Sequence, residues 1–166
     1  METSRLARRR ASAPRRPTGR HTRIHLTSRF PTEFVDLTDR IEKLVVESGV
    51  RLGVVNIQTL HTTTAIVLNE HEPLLLTDFQ ALLETAAPDD ARYRHDDKTL
   101  RTVNVTDEER VNGHAHCRAL LLPPSACLNV IGGRLLLGRW QRVFFVELDG
   151  PRERQISVLI LGEAGQ

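Results

Sequence analysis

Cysteine, aromatic residues and long apolar runs are all scarce in this chain of 166 residues. Its two cysteines, Cys117 and Cys127, are too few for a disulfide framework, and their spacing matches no zinc ribbon. We therefore expect both to be small buried side chains in a reducing cytoplasm. No apolar run approaches the roughly 20 residues that a transmembrane helix requires, and no apolar segment typical of a secretory signal follows the N-terminus. These absences predict a cytoplasmic protein without a membrane span.

Several familiar sequence signatures are absent as well. The chain contains no P-loop, no GxGxxG or GxSxG segment and no HExxH pair, which argues against the common nucleotide, serine-hydrolase and metalloprotease sites. Nucleic-acid binding by the folded part is also unexpected, because that part is net acidic and the whole chain has only one Trp, one Tyr and five Phe.

The basic residues are concentrated at the N-terminus. Residues 1–20 contain seven Arg and one Glu, whereas residues 21–166 contain 16 basic and 20 acidic residues. The first segment has almost no apolar side chains, so we expect a disordered Arg-rich tail over 1–20 and a single domain over 21–166. A tail of this composition is also typical of an organellar transit peptide, or of an arm that binds nucleic acid or anionic lipid.

Hydrophobic periodicity after residue 20 predicts an α+β fold. Helical spacing of apolar residues predicts three helices, over 36–49, 73–86 and 113–122. Asp36 is expected to cap the first helix and Gly49 to end it, and Pro73 is expected in the first turn of the second. About seven mostly antiparallel strands are predicted, over 21–28, 51–60, 64–70, 126–131, 134–138, 141–148 and 154–162.

The settings of individual histidines suggest where chemistry takes place. His61 ends a β-branched strand and precedes three threonines, a setting typical of an acid–base residue, a ligand or a structural histidine. His95 lies in a polar loop before two aspartates, which favour a protonated or metal-bound imidazole. His21 and His25 lie on the polar side of the first strand, so we expect both to be solvated.

His114 and His116 lie two residues apart in the segment VNGHAHCRAL. In a helix their side chains would point about 200° apart, so only one of them would face a given site. In an extended segment both would lie on the same face. The chain has no histidine pair at i, i+4 spacing of the metalloprotease type, so an open zinc site would need histidines from separate elements. Spacing alone leaves both residues as candidates.

Two carboxylates near the second predicted helix are further candidates. Glu70 follows Asn69 at the end of a predicted strand, just before that helix. Asp78 lies at i, i+4 spacing from leucines on a helix face that we expect to be buried. A carboxylate in such a place needs a partner, which raises the expectation of a functional role.

A second acidic group closes the strand FFVELDG. Glu147 and Asp149 lie at its end, and Arg152 and Arg154 follow directly. Acids beside arginines at a strand end suit phosphate or carboxylate recognition. A solvated ion pair in a turn is the alternative interpretation.

Five motifs in one order and spacing resemble the YjbQ-like family, whose members are often labelled secondary thiamine-phosphate synthases. They are HTTTAIVLNE at 61–70, Asp78 in the next helix, YRH at 93–95, NGHAH at 112–116 and GRLLLGRWQRVFFVE at 133–147. The match spans about residues 20–162 and leaves the tail outside. The resemblance implies a compact α+β domain with a sandwich-like sheet core, assembled as a homotrimer with sites near subunit boundaries.

The resemblance also implies roles for individual residues. It implies that His61, His95 and His116 are catalytic and hold a divalent metal, zinc or magnesium, with Glu70 and Glu147 as further catalytic residues. It selects His116 over His114, in agreement with the helical interpretation. It implies substrate contacts by Trp140 and Gln141. From their chemistry and position we add Arg139 and Arg152 as phosphate-binding residues and Asn69 and Asn112 as further substrate contacts.

The implied reaction joins a hydroxymethyl-pyrimidine pyrophosphate to a thiazole phosphate and releases pyrophosphate. Such a reaction requires groups that bind phosphates and neutralise the leaving group, and little covalent chemistry from the protein. The alternative function is that of a non-enzymatic trimeric binding or scaffold protein, in which the histidines are structural.

Overall fold

The computed structural model describes residues 17–164, which form eight strands, three α-helices and a short 3₁₀ turn. In chain order these are β1 (Pro17–Thr27), β2 (Glu33–Asp36), α1 (Thr38–Ser48), β3 (Val50–Thr59), β4 (Thr64–Glu70), α2 (Pro73–Ala86), the 3₁₀ turn (Arg94–Asp96), α3 (Gly113–Leu120), β5 (Ser125–Ile131), β6 (Arg134–Leu135), β7 (Gln141–Glu147) and β8 (Glu153–Ala164).

The strands form two antiparallel sheets. The larger sheet has the order β1-β8-β3-β5-β6, and the smaller one has the order β2-β7-β4. The predicted α+β class with three helices and mostly antiparallel strands is confirmed. One strand more than predicted is present, because β2 has only four residues and too little alternation to be recognised.

Strand β7 has a core on each of its faces, because successive side chains of a strand point to opposite sides. Val143 and Phe145 join the cluster that is filled by the larger sheet and α1. Phe144 and Val146 join a second cluster, which α2 and α3 cover. The fold is therefore layered, with the larger sheet, the smaller sheet and a helical layer in that order.

The folded part begins earlier than the sequence suggests. Strand β1 starts at Pro17, and its residues 17–20 pair with Ile160–Glu163 of β8. The prediction of disorder is therefore wrong for residues 17–20, which are held by a neighbouring strand despite their polar composition. The rest of the predicted tail, residues 1–16, lies outside the described residues.

Helix α1 ends as predicted but is capped differently. Gly49 ends it with a φ of 73°, a left-handed conformation that glycine adopts without strain. The N-cap position is Leu37, and Asp36 lies one residue before it. The Asp36 carboxylate still accepts a hydrogen bond from the Thr38 N–H, so it satisfies one backbone donor of the first turn.

Helix α2 starts at Pro73, as predicted, and exposes the face that was expected to be buried. Leu83 is buried against the smaller sheet, whereas Leu74 and Leu82 are 74% and 65% exposed. Asp78 shares that exposed face, so the expectation that it needs a buried partner is wrong in the single chain. Helix α2 has more leucines than the smaller sheet can cover. The apolar periodicity of the sequence could not show which of them are buried.

Both cysteines are free and exposed, so the expectation that they are buried is wrong. Cys117 lies on the outer face of α3, and Cys127 lies on the face of β5 that points away from the core. Among the helices of residues 17–164, none is long and apolar enough to cross a membrane.

Candidate functional site

The residues singled out in the sequence divide into two groups at opposite ends of the β4–β7 pair. Thr64, next to the His61 motif, pairs with Glu147, whereas Glu70 pairs with Gln141. Six residues along a strand span about 20 Å. The group at the Glu70–Gln141 end, which we call the distal group, therefore does not reach the histidines within one chain. It comprises Asn69, Glu70, Arg139, Trp140 and Gln141.

The histidine end contains a cavity of about 450 Å³. All three predicted histidines contribute to its wall, together with two of the predicted substrate residues, Asn112 and Arg152. The remaining lining residues are Leu60, Thr62, Thr63, Arg101, Asn104, Glu109 and Arg154.

The imidazole rings of His95 and His116 are in contact. Their centroids are 4.5 Å apart and their planes are inclined by 61°. One oxygen of Asp96 joins the 3₁₀ turn that carries His95 to the start of α3, because it accepts hydrogen bonds from the Asn112 and Gly113 N–H groups at 3.0 and 2.9 Å. A carboxylate at this place also interacts favourably with the positive end of the helix.

Helix α3 separates His114 from His116, as the helical interpretation predicts. His116 faces the cavity, whereas the His114 ring lies against Tyr93 at a centroid distance of 6.4 Å. The Nδ1 atom of His114 is buried without a hydrogen-bond partner among the described residues. Gly113 allows this close packing, because a Cβ at that position would lie 2.4 Å from the Cβ of Tyr93.

His116 is suited to remain neutral at physiological pH. Partial burial lowers its pKa, and the neighbouring His95 lowers it further, while Asp149 acts in the opposite direction. A neutral imidazole can accept a proton or donate one, which is the property required of an acid–base residue.

Arg101 and Glu109 belong to the site although sequence reasoning did not find them. The two side chains form a two-point ion pair, with N–O distances of 2.7 and 3.0 Å. Nη1 of Arg101 also lies 3.2 Å from Nε2 of His95, so the guanidinium connects the carboxylate to the imidazole. The only available signal was their position in a long polar segment, since such loops often carry function.

Glu147 lies beneath the cavity and does not line it. Its carboxylate is fully buried and accepts two hydrogen bonds from Arg154, at 2.7 and 2.6 Å, and one from Ser28 Oγ at 2.8 Å. Burial acts to raise the pKa of Glu147, but these bonds and one from the Asp149 N–H outweigh it and lower the pKa. The role of Glu147 is therefore to hold Arg154, which does line the cavity.

Asp149 positions two of the residues predicted to bind substrate. It accepts a hydrogen bond from Nδ2 of Asn112 at 3.0 Å and forms an ion pair with Arg152 at 3.2 Å. Oδ1 of Asn112 is buried and has no hydrogen-bond partner among the described residues. Arg152 keeps about a third of its side chain exposed and can therefore also contact a ligand.

His61 lies between two cavities. One is the histidine cavity, and the other, of about 550 Å³, is lined on its far side by His25, Glu153 and Gln155. Nε2 of His61 accepts a hydrogen bond of 2.9 Å from the Gln155 N–H. Partial burial lowers the pKa of His61, and the positive charge of Arg154 contributes to the decrease.

The predicted three-histidine metal site does not match this donor geometry. A histidine ligand needs a free lone pair on the coordinating nitrogen. Nε2 of His61 is already an acceptor for the Gln155 N–H, and Nε2 of His95 faces the guanidinium of Arg101. Among residues 17–164, no group of three or more His, Cys, Asp or Glu side chains is placed to hold a metal ion.

Three residues of the distal group, Glu70, Arg139 and Trp140, line a separate cavity of about 440 Å³. Arg139 stacks on the ring of Trp140, with its guanidinium carbon 4.5 Å from the ring centre, and Trp140 is 59% exposed. The side-chain oxygens of Asn69 and Gln141 accept hydrogen bonds from nearby backbone N–H groups, so their contacts are local.

Comparisons with known proteins match most of the described part of the chain. The model of the family "UPF0047 protein YjbQ-like" matches residues 22–163. A UPF0047 protein of Methanothermobacter thermautotrophicus is 40% identical over 79% of this chain and 84% of its own length, and one of Archaeoglobus fulgidus is 41% identical over 78% and 91%. A solved structure described as a YbjQ-like protein of unknown function from Sulfolobus solfataricus is 35% identical, with a TM-score of 0.80, and covers 89% of this chain and all of its own.

Proposed function

This chain belongs to the YjbQ-like (UPF0047) family, and we propose that its histidine cavity is the active site of a transferase acting on a small phosphorylated substrate. The observation that carries the proposal is the combination of three imidazoles and two partly exposed guanidinium groups, Arg101 and Arg152, around one cavity. Arginine forks match the geometry of phosphate oxygens.

The specific reaction that we propose is thiamine-phosphate synthesis. The ring nitrogen of a thiazole phosphate attacks the methylene carbon of a hydroxymethyl-pyrimidine pyrophosphate. A carbon–nitrogen bond forms, the carbon–oxygen bond to pyrophosphate breaks, and pyrophosphate leaves with the electron pair. No proton has to be removed from the nucleophile, so catalysis rests on binding both phosphates and stabilising the leaving group.

The charges around the cavity agree with this requirement. Each arginine has a carboxylate partner, which fixes its position before a ligand arrives. The three arginines and their carboxylate partners, Glu109, Asp149 and Glu147, cancel in formal charge, so a pyrophosphate would be held by directed hydrogen bonds more than by excess positive charge. Arg101 and Arg152 would supply such bonds, and His116 would orient the pyrimidine or the nucleophile.

We route no step of the reaction through zinc or magnesium, because the Nε2 lone pairs of His61 and His95 are occupied as described above. Metal analysis of the purified protein tests this choice. We expect less than stoichiometric metal and no loss of turnover after treatment with a chelator. One equivalent of zinc per chain that disappears in His61→Ala would restore the metal-assisted mechanism.

A pyrophosphate-release assay on the paired pyrimidine and thiazole substrates tests the reaction. We expect turnover by the wild type and a loss of about a hundredfold in His116→Ala, in line with the cost of misplacing a reacting group by about 1 Å. His21→Ala is the control, because His21 is exposed on β1 and lines neither cavity that His61 borders. If the wild type released no pyrophosphate from the paired substrates, whichever substrate is added first, thiamine-phosphate synthesis would be refuted.

The second candidate function is a trimeric binding or scaffold protein without turnover. The exposed leucines of α2, Leu74 and Leu82, and the exposed Trp140 support an assembly that covers them. We propose a homotrimer for either function, located in the cytoplasm, where exposed free thiols remain reduced. Light scattering should give three times the chain mass of 18.8 kDa, and a monomer would contradict it.

A further inference from the structure

The hydrogen bond between Gln155 and His61 determines which nitrogen of His61 carries its proton. A backbone N–H is always a donor, so the nitrogen that it contacts, Nε2, must be unprotonated. A neutral imidazole has one proton, which must then be on Nδ1. This assignment follows from the contact itself, since the donor cannot reverse its role.

The contact is part of a rigid connection between two strands. The Leu60 N–H donates to the Gln155 carbonyl at 3.3 Å, and the Gln155 N–H donates to His61 at 2.9 Å. Two adjacent residues at the end of β3 are thus joined to one residue of β8. His61 cannot turn its Nε2 toward a ligand without leaving a backbone N–H unpaired, which is costly in a partly buried place.

The opposite nitrogen is available to a ligand. No residue of 17–164 makes a hydrogen bond to Nδ1 of His61, and Nδ1 is not among the polar atoms that protein encloses. The ring lines the cavity that also contains Arg101, Arg152 and Arg154. The cavity on its other side shares Arg154 but lacks Arg101 and Arg152, and it carries the Glu153 carboxylate, so it is less favourable for an anion.

We propose that His61 is a fixed hydrogen-bond donor, and that its Nδ1–H binds an anionic oxygen of the phosphorylated ligand. This inference rests on the proposed function for the identity of the ligand and deepens it. His61 then acts together with Arg152 on the pyrophosphate and is neither a metal ligand nor a general base, because both roles require a lone pair at Nδ1.

Partial burial and the charge of Arg154 reinforce this arrangement. Both lower the pKa of His61 and keep the ring in its neutral form. Protonation would place a second proton on Nε2 and break the bond to Gln155. A neutral imidazole that donates from a fixed position stabilises developing negative charge without any rearrangement of its own.

Nitrogen NMR of the full chain, labelled with ¹⁵N-histidine, tests the proton assignment without any ligand. We expect the His61 signals at pH 7.5 to show a protonated Nδ1 and an unprotonated Nε2, with the resonance assigned by its absence in His61→Gln. An Nε2–H tautomer or a doubly protonated ring would overturn the proposal. This outcome is independent of whether the protein is an enzyme.

Calorimetric titration with pyrophosphate tests the role of the donor. In His61→Asn the amide nitrogen takes the place of Nδ1 and keeps the donor, whereas in His61→Gln the amide oxygen takes the place of Nε2 and the donor at Nδ1 is lost. We expect His61→Gln to weaken binding about tenfold or more, and His61→Asn to weaken it clearly less. Thermal melting establishes that each variant is folded.

The outcomes separate the two proposals. Equal binding by the wild type and His61→Gln, or equal losses in both variants, would refute the donor role while leaving the cavity as the binding site. If the wild type bound no pyrophosphate, both the binding of an anionic oxygen by the Nδ1–H of His61 and the proposed function would be refuted. The NMR result would still decide the proton assignment.

Discussion

The imidazoles of His95 and His116 lie edge to face at a centroid distance of 4.5 Å, although they belong to different elements. Their contact depends on Asp96, whose carboxylate joins the turn of His95 to the first residues of α3. The cavity is thus held together by a polar connection at a helix start, where two backbone N–H groups lack partners within the helix.

Replacement of Asp96 by alanine should loosen this connection. Two backbone N–H groups lose their acceptor, and we expect a destabilisation of about 1–2 kcal/mol, as for the loss of a helix cap. Chemical denaturation measures the change. Asp90→Ala in the exposed loop after α2 is the control and should have no measurable effect; equal stabilities of the two variants would contradict the role of Asp96.

Gly113→Ala should disturb the same region by steric overlap. The new methyl group would lie 2.4 Å from the Cβ of Tyr93, so the turn and the helix must move apart. We expect a loss of about 1–3 kcal/mol in unfolding free energy, typical of an overpacked position. In Gly138→Ala, the control, the nearest atom is the side-chain oxygen of Gln141 at 3.3 Å, and a loss as large as that of Gly113→Ala would argue against the steric explanation.

Glu147→Gln should be among the most damaging substitutions in the chain. It removes a charge that is fully buried against Arg154, which is itself only 4% exposed, and leaves the guanidinium without its counter-ion. Breaking a buried ion pair from one side costs about 3–5 kcal/mol. Urea denaturation measures the loss of unfolding free energy. The control is Glu153→Gln, which changes an exposed carboxylate next to Arg154 in the sequence. A cost below about 1 kcal/mol would show that the pair is not required.

Stability should decrease as the pH falls below about 6.5. The pKa values of His61 and His116 are lowered in the folded state, mainly by burial, so the unfolded chain takes up protons first as the solution is acidified. The stabilisation from keeping these histidines neutral is complete above their pKa in the unfolded chain, and it is lost as the pH falls below that pKa. Urea midpoints between pH 7.5 and 5.5 measure this dependence, and His116→Asn should make it shallower.

His25→Gln provides the reference for that experiment, because His25 is exposed on β1. The change in pH dependence should be smaller for His25→Gln than for His116→Asn. A wild-type midpoint that rises between pH 6.5 and 5.5 would show that the two histidines are not held neutral by the fold.

The sequence predicted most elements of this fold because their signals are local. The glycine after α1 and the proline that starts α2 end and begin those helices as expected. The two-residue spacing of His114 and His116 became decisive only with the helix, which directs them to different sides. Helical geometry alone was sufficient to exclude a His-x-His metal pair.

The arrangement of the site could be predicted only in part, because it depends on register. The family resemblance grouped Glu70, Trp140 and Gln141 with the histidines, but the pairing of β4 with β7 separates these groups by about 20 Å. Arg101 and Glu109 were missed because their pairing closes a loop that has no periodic pattern. The proton position on His61 depends on a backbone group of a distant strand.

The most direct test of the histidine cavity as the binding site is the dissociation constant of pyrophosphate for two matched arginine variants. Arg152→Met removes a guanidinium from the histidine cavity, and Arg139→Met removes one from the distal cavity beside Trp140. We predict that Arg152→Met raises the dissociation constant at least tenfold, whereas Arg139→Met leaves it within about twofold of the wild type. An unchanged value for Arg152→Met together with a large increase for Arg139→Met would place the ligand in the distal cavity and contradict this account.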